Sequence, residues 1–165
     1  MKKLILAALI ALPMSVFAQK FAHVNSATII QAMPEYTTAQ TELQTLGKSY
    51  EEEIKRMQDE LQSKYEDYQK NGASLPDATK QRREQELADL NQRLEQYAQV
   101  AEQDMAKARQ DKMQLISDKI GKAIQEVGTA GGYVYIMDVT AGIPFINESI
   151  STDVTEQVKA KLGIK

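Results

Sequence analysis

Apolar and aromatic residues recur at steps of three or four from about Tyr36 to Val127, the spacing of one helix face. The first run passes through Leu43, Leu46, Tyr50, Ile54, Met57, Leu61, Tyr65 and Tyr68. The second passes through Leu87, Leu90, Leu94, Tyr97, Ala101, Met105 and Ala108, and then Met113, Ile116, Ile120, Ile124 and Val127. Between them, Gly72 offers the left-handed position that ends a helix, and Pro76 suits the start of a new one. The pattern predicts two long helices folded back on each other around residues 71–77.

Reflection about Ser74 supports this hairpin. It sets Leu61 against Leu87, Ile54 against Leu94 and Leu43 against Met105, while Met57 with Leu90 and Tyr50 with Tyr97 miss by one position. At about 1.5 Å per residue the arms would measure roughly 50 to 70 Å. The steps from Leu46 through Met57 to Tyr68 follow an eleven-residue repeat, which leaves the pair nearly straight. Ala101, Ala108 and Arg109 occupy inward-phase positions, so the seam is thin and the arm is expected to flex. Six acid-before-base pairs four apart (Glu51 and Lys55, Glu52 and Arg56, Glu60 and Lys64, Glu66 and Lys70, Asp89 and Arg93, Asp118 and Lys122) mark a solvated face.

The ends of the chain read differently. Residues 20–24 alternate weakly as a short strand, Asn25-Ser26 can cap a short helix over residues 27–32, and Met33 is pushed out of the helical region by Pro34. Pro34 and Glu35 then suit the first turn of the long helix. After Gly128 and Gly131-Gly132 as helix stops, residues 133–137 are β-branched and aromatic almost throughout, the strongest strand signal in the chain. Ile143 to Ile146 is expected as a short edge strand, and Asp153 as the cap of a last helix over 154–162 that ends at Gly163. The strands at Phe21 and Val134 are expected to pair. So few short strands bury too little core alone, which predicts pooling of Phe21, Val24, Ile30, Val134 and Ile136 from several chains in an oligomeric base.

Composition narrows the function. Lys2-Lys3, an apolar run from Leu4 to Leu12 and Val16-Phe17-Ala18 form a secretory signal, with cleavage expected before Gln19. Cysteine is absent from the 165 residues, which excludes disulfides, thiol nucleophiles and thiolate metal sites. Loss of Lys2 and Lys3 takes the formal net charge from -3 to about -5, a balance that argues against nucleic-acid binding. His23 is the sole histidine, and phosphate-loop and dinucleotide fingerprints are missing, so no catalytic residue, metal site or cofactor is predicted. Lys64, Lys70, Lys80, Arg82 and Arg83 gather near the tip, read as a solvated helix end ahead of a membrane-surface or acidic-partner contact. Tyr50, Met57, Tyr65, Tyr68, Tyr97 and Met105 are either seam residues or soft contacts for varied clients.

Phe21-Ala22-His23-Val24-Asn25 with its short helix, Ala32-Met33-Pro34-Glu35-Tyr36 entering the long helix with Ala39 and Leu43, the charged hairpin, and Tyr133 to Asp138 with Asp153-Val154-Thr155 together resemble the Skp/OmpH family of periplasmic chaperones. The resemblance spans essentially the whole mature chain. It implies a homotrimer with a small β-rich body and helical arms enclosing a cavity, which holds unfolded outer-membrane proteins without ATP. The acidic balance departs from the basic charge of the best-known member.

The expectation is a mainly α chain with a small β body: leader 1–18, one domain over 19–165, its base in 19–35 and 128–165, and a coiled-coil arm over 36–127. The expected function is that of a periplasmic holdase for unfolded outer-membrane β-barrel proteins. The rival is a structural or adaptor coiled coil of the cell envelope.

Overall fold

The computed structural model describes residues 19–164, so the expected leader lies outside the described residues. In chain order the elements are β1 (Lys20–Val24), α1 (Ser26–Ala32), α2 (Pro34–Asn71), a single 3-10 turn (Gly72–Ser74), α3 (Asp77–Gly131), β2 (Tyr133–Asp138), a second 3-10 turn (Val139–Ala141), β3 (Ser151–Asp153) and α4 (Thr155–Lys161). The described residues form two compact units. One runs to Ile29 and resumes at Ile120, and the other spans Ile30 to Lys119.

In the helical unit, Met33 takes the extended conformation (φ -76°, ψ 126°) that a following proline enforces, and Pro34 then opens α2 with Glu35 in its first turn. The helix runs for 38 residues, about 57 Å at 1.5 Å per residue. At the tip the expected left-handed Gly72 is not found: its φ of -61° and ψ of -33° are right-handed, and it begins the 3-10 turn. Glycine gives the Tyr68 ring room there, since a Cβ would lie 3.1 Å from it and the ring would have to shift. Leu75 is extended ahead of Pro76, whose carbonyl accepts from the amides of Thr79 and Lys80 as α3 starts.

The two helices are antiparallel, as Tyr50 with Tyr97, Glu42 with Lys112 and Glu35 with Lys119 demonstrate. The register departs from simple reflection. Met105 Cε lies against Gly47, 3.5 Å from where its Cβ would be, one turn further along than the expected partner Leu43. Burial in this unit is confined to Met33, Ala39, Leu90, Ala101 and Ile116 among apolar side chains, so the seam is thin, as its small residues predict. Ala108 is half-buried, but Arg109 is exposed.

None of the six expected acid-before-base pairs is among the ion pairs of the described residues. Arg56 turns to Glu53, three residues away, and Lys64 crosses the hairpin to Glu86. For Lys64 the neighbouring helix brings a competing carboxylate, and exposed pairs are too weak to resist such competition.

In the other unit, β1 is the central strand of a parallel sheet ordered β2-β1-β3. β1 pairs with β2 as the sequence suggests, with a bulge that leaves Val134 as the extra residue between Lys20–Tyr133 and Phe21–Tyr135. The third strand is not Ile143–Ile146. Pro144 lacks a ladder donor, and the Asn147 carbonyl accepts from the amides of Ile150 and Ser151, which turns the chain so that Ser151–Asp153 joins β1 instead. Gly128 does not stop α3, which continues to Gly131. The left-handed residue is Gly132, with φ 64°. Gly128 instead lets Ile136 approach, its Cδ1 lying 3.3 Å from where a Cβ would stand.

Ala22, Val24, Ile29, Ile120, Ala123, Val127, Val154 and Val158 are the buried apolar residues of this unit among the described residues. The Asn25 side chain caps α1 through the Thr28 amide at 3.0 Å, and Asp153 accepts from the Thr155 amide at 2.8 Å where α4 begins. The left-handed Gly163 (φ 74°) follows the end of α4.

Candidate functional site

The six tyrosines and methionines singled out in the hairpin do not form one surface. Tyr50 and Tyr97 pack against each other between the helices, and Met105 Cε lies beside Gly47. Tyr68 lies over Gly72, its hydroxyl donating to Glu84, and Met57 is half-buried. Tyr65 is exposed at 48 %, and Val100 and Leu115 on α3 also stand out, at 51 % and 66 %. Periodicity did not single out Val100 and Leu115, because each lies off the inward stripe and looks like an isolated apolar residue on a polar face.

At the tip, Lys64 and Arg83 converge on one carboxylate, Glu86, with Arg83 Nη1 at 3.4 Å. The Lys64 hydrogen bond and charge hold the Glu86 carboxyl below its ordinary range. Lys70 and Arg82 are exposed and Lys80 is half-buried. The basic cluster is therefore partly neutralised by its own acidic neighbours.

The sheet has two unlike faces. On β1, Ala22 and Val24 are buried, and their neighbour Ile136 on β2 packs against Gly128 of α3. On the opposite face, Phe21 and Tyr135 lie across the strand pair with ring centroids 5.0 Å apart, and His23 pairs with Met137. This second face borders a cavity lined by Phe21, Tyr135, Met137, Phe145 and Ile150. Phe145 is 77 % exposed, Ile150 65 %, Tyr135 49 % and Met137 44 %. Of the residues expected in an oligomeric base, Phe21 lies on this face and Ile136 on the covered one, while Val24 is fully buried, Ile30 is half-buried in α1 and Val134 is the exposed bulge residue. Tyr135 and Met137 were the residues to find, since alternation along β2 puts them on the face of Phe21.

The titratable groups of this unit hold the fold together. His23 Nδ1 lies 2.9 Å from Ser151 Oγ, tying β1 to β3. Burial would push the Asp138 carboxyl up, but the hydrogen bonds from Ser26 and Thr140 outweigh it and hold the group below its usual range. Asp153 behaves alike: burial opposes its charge, and the Thr155 hydrogen bonds, with His23 and Lys159 nearby, prevail. Among the described residues no group of three or more His, Asp or Glu is placed to hold a metal ion. No helix among them is long and apolar enough to cross a membrane.

This architecture, two long paired helices with a small three-stranded parallel sheet, is that of the OmpH-like proteins, and the chain belongs to that family: the family described as "Outer membrane protein (OmpH-like)" matches residues 20–162. Among its relatives is a "Chaperone protein Skp" of Yersinia enterocolitica, 30 % identical, covering 96 % of this chain and all of the relative. A second protein of that name, from Photorhabdus laumondii subsp. laumondii, is 32 % identical over the same shares. The fold is also that of a solved OmpH-like structure from Caulobacter crescentus CB15, with a TM-score of 0.75 at 14 % identity, covering 87 % of this chain and 83 % of that one.

Proposed function

We propose that the chain is an ATP-independent holdase of the periplasm, assembled as a homotrimer, that captures unfolded outer-membrane β-barrel proteins between its helical arms. The observation that carries this reading is the number of large apolar side chains left uncovered. Tyr65, Val100 and Leu115 stand out on the long helices, and Tyr135, Met137, Phe145 and Ile150 stand out around the sheet. Single exposed apolar residues are ordinary, but a contiguous patch such as that around Phe145 marks an interaction surface. The sheet patch suits self-assembly, and the scattered helix residues suit many weak contacts with a disordered client. A thin seam serves such capture, since a helix pair with few buried contacts bends at low cost. Release then needs only a better competitor, such as membrane insertion of the client.

The test is suppression of aggregation of an unfolded β-barrel protein by the mature chain without nucleotide, together with its mass in solution. A trimeric mass and suppression at stoichiometric ratio are expected, and suppression should survive moderate salt, because apolar contact is not screened. A monomeric mass at micromolar concentration removes the trimer. Failure to suppress removes the holdase. Loss of suppression with moderate salt at unchanged helicity would make capture electrostatic and direct attention to the tip cluster from Lys64 to Arg83.

A further inference from the structure

Near one end of the helical unit, α2 and α3 each carry four residues at i, i+3, i+4 and i+7: Glu35, Thr38, Ala39 and Glu42 on one helix, and Lys112, Leu115, Ile116 and Lys119 on the other. The outer members pair across the helices, Lys119 Nζ donating to Glu35 at 2.7 Å and Lys112 to Glu42. Between these two ion pairs lies an open groove of about 340 Å³, with Ala39 and Ile116 buried beneath it and Leu115 standing out at its side. The acidic members all lie on α2 and the basic members all on α3.

We infer that this groove is a subsite for an extended client segment of alternating apolar and polar residues, seating two successive apolar side chains between the Glu35–Lys119 and Glu42–Lys112 pairs. The inference rests on the holdase reading above. Seven residues of helix set the two ion pairs about 10.5 Å apart. Side chains on one face of an extended strand are about 6.7 Å apart, so two fit within that frame and a third, about 13.4 Å from the first, does not. Small side chains at Thr38 and Ala39 leave the depth that the apolar groups fill. The rims complement an extended backbone: lysine ammonium groups on α3 donate to its carbonyls, and glutamates on α2 accept from its amides, as charge-assisted hydrogen bonds. Alternation of this kind is the pattern of strands in membrane β-barrels.

The experiment uses the mature chain and two labelled peptides of identical composition, one alternating leucine or tyrosine with serine or threonine, the other with its apolar residues in one block. Leu115→Asp should weaken the alternating peptide at least tenfold at unchanged helicity and mass. Thr38→Trp, which fills the groove from an exposed position without adding charge, should do the same. A photo-crosslinker at Leu115 should capture the alternating peptide, and one at the exposed Gln114 should not. Equal binding of the two peptides, or wild-type affinity in both variants, overturns the subsite; so does crosslinking from Leu115 to a second copy of the chain instead of the peptide. Suppression of aggregation is recorded in parallel: if the wild type suppresses it while the groove variants bind normally, the holdase stands and the subsite falls. If peptide selectivity depends on Leu115 but the wild type suppresses nothing, the strand preference of the groove is supported and the holdase falls.

Discussion

The rings of Tyr50 and Tyr97 meet edge-on between the two long helices, with centroids 5.9 Å apart and planes inclined at 62°. The Tyr50 hydroxyl also donates to Asp104 at 2.9 Å, a bond that raises the pKa of the phenol. These residues therefore act on arm stability before they act on any client. Tyr50→Ala and Tyr97→Ala should each lower Tm by a few degrees, and the double variant should cost less than the two single changes together, because the ring contact is lost only once. Tyr65→Ala should leave Tm unchanged. Thermal unfolding followed by helicity checks all four variants.

Gly47 lies inside α2 with no turn to make. A Cβ there would meet Met105 Cε at 3.5 Å, an ordinary contact, so the glycine costs helix stability and avoids no clash. Gly47→Ala should stabilise the folded chain by about 0.5 to 1 kcal/mol. Gly131→Ala should act in the opposite sense, since its Cβ would fall 2.3 Å from the Tyr133 ring. Denaturant midpoints for the two variants decide this. A Gly47→Ala variant less stable than the wild type would mean that the arm needs the looser backbone to keep its register.

The depressed carboxyls of Asp138 and Asp153 make the sheet unit sensitive to acid. A carboxyl whose folded pKa lies below its unfolded value of about 3.9 contributes stability that is fully present above that value and is lost as pH falls through the folded one. Asp138→Asn and Asp153→Asn should each lower Tm at pH 7, and the difference from the wild type should begin to shrink below about pH 4 and vanish only once the pH lies below the depressed folded pKa. Tm measured between pH 7 and pH 2.5 follows it. A difference that persists unchanged to the lowest pH would show that shape and hydrogen bonding, not charge, are what the asparagine disturbs.

The elements were legible where local chemistry decides them. Asn25 as a cap, the Met33-Pro34 break, the paired helices and the β1–β2 pairing follow from residue type and period. The errors arise where a packed neighbour or a local turn overrides the simple residue preference. The Tyr68 ring crowds Gly72, Ile136 crowds Gly128, and Glu86 draws Lys64 away from Glu60. Reflection gives the antiparallel order of the helices, but apolar period fixes a face and not which turn of the partner a side chain reaches, as Met105 Cε beside Gly47 shows. Of the candidate client residues, the pattern identified those that touch the other helix and could not tell them from those that remain exposed.

The parity of β2 separates residues that hold the fold from those that would form the proposed assembly surface. Ile136 packs on Gly128 toward α3, whereas Tyr135 lies on the opposite face against Phe21, near the exposed Phe145 and Ile150. A charge at Ile136 would have to be buried beside a helix, and a buried unpaired charge is strongly destabilising. A charge at Tyr135 or Phe145 enters water in the isolated chain and meets apolar surface only if copies associate there. Ile136→Asp should therefore lower helicity and Tm, whereas Tyr135→Asp and Phe145→Asp should keep the helical spectrum and reduce the mass in solution to that of one chain. Light scattering at several micromolar concentrations, read beside circular dichroism, distinguishes the two effects. If both Tyr135→Asp and Phe145→Asp retain the wild-type mass, the open sheet face is not the assembly surface, and the exposed aromatic cluster would remain available for a client instead.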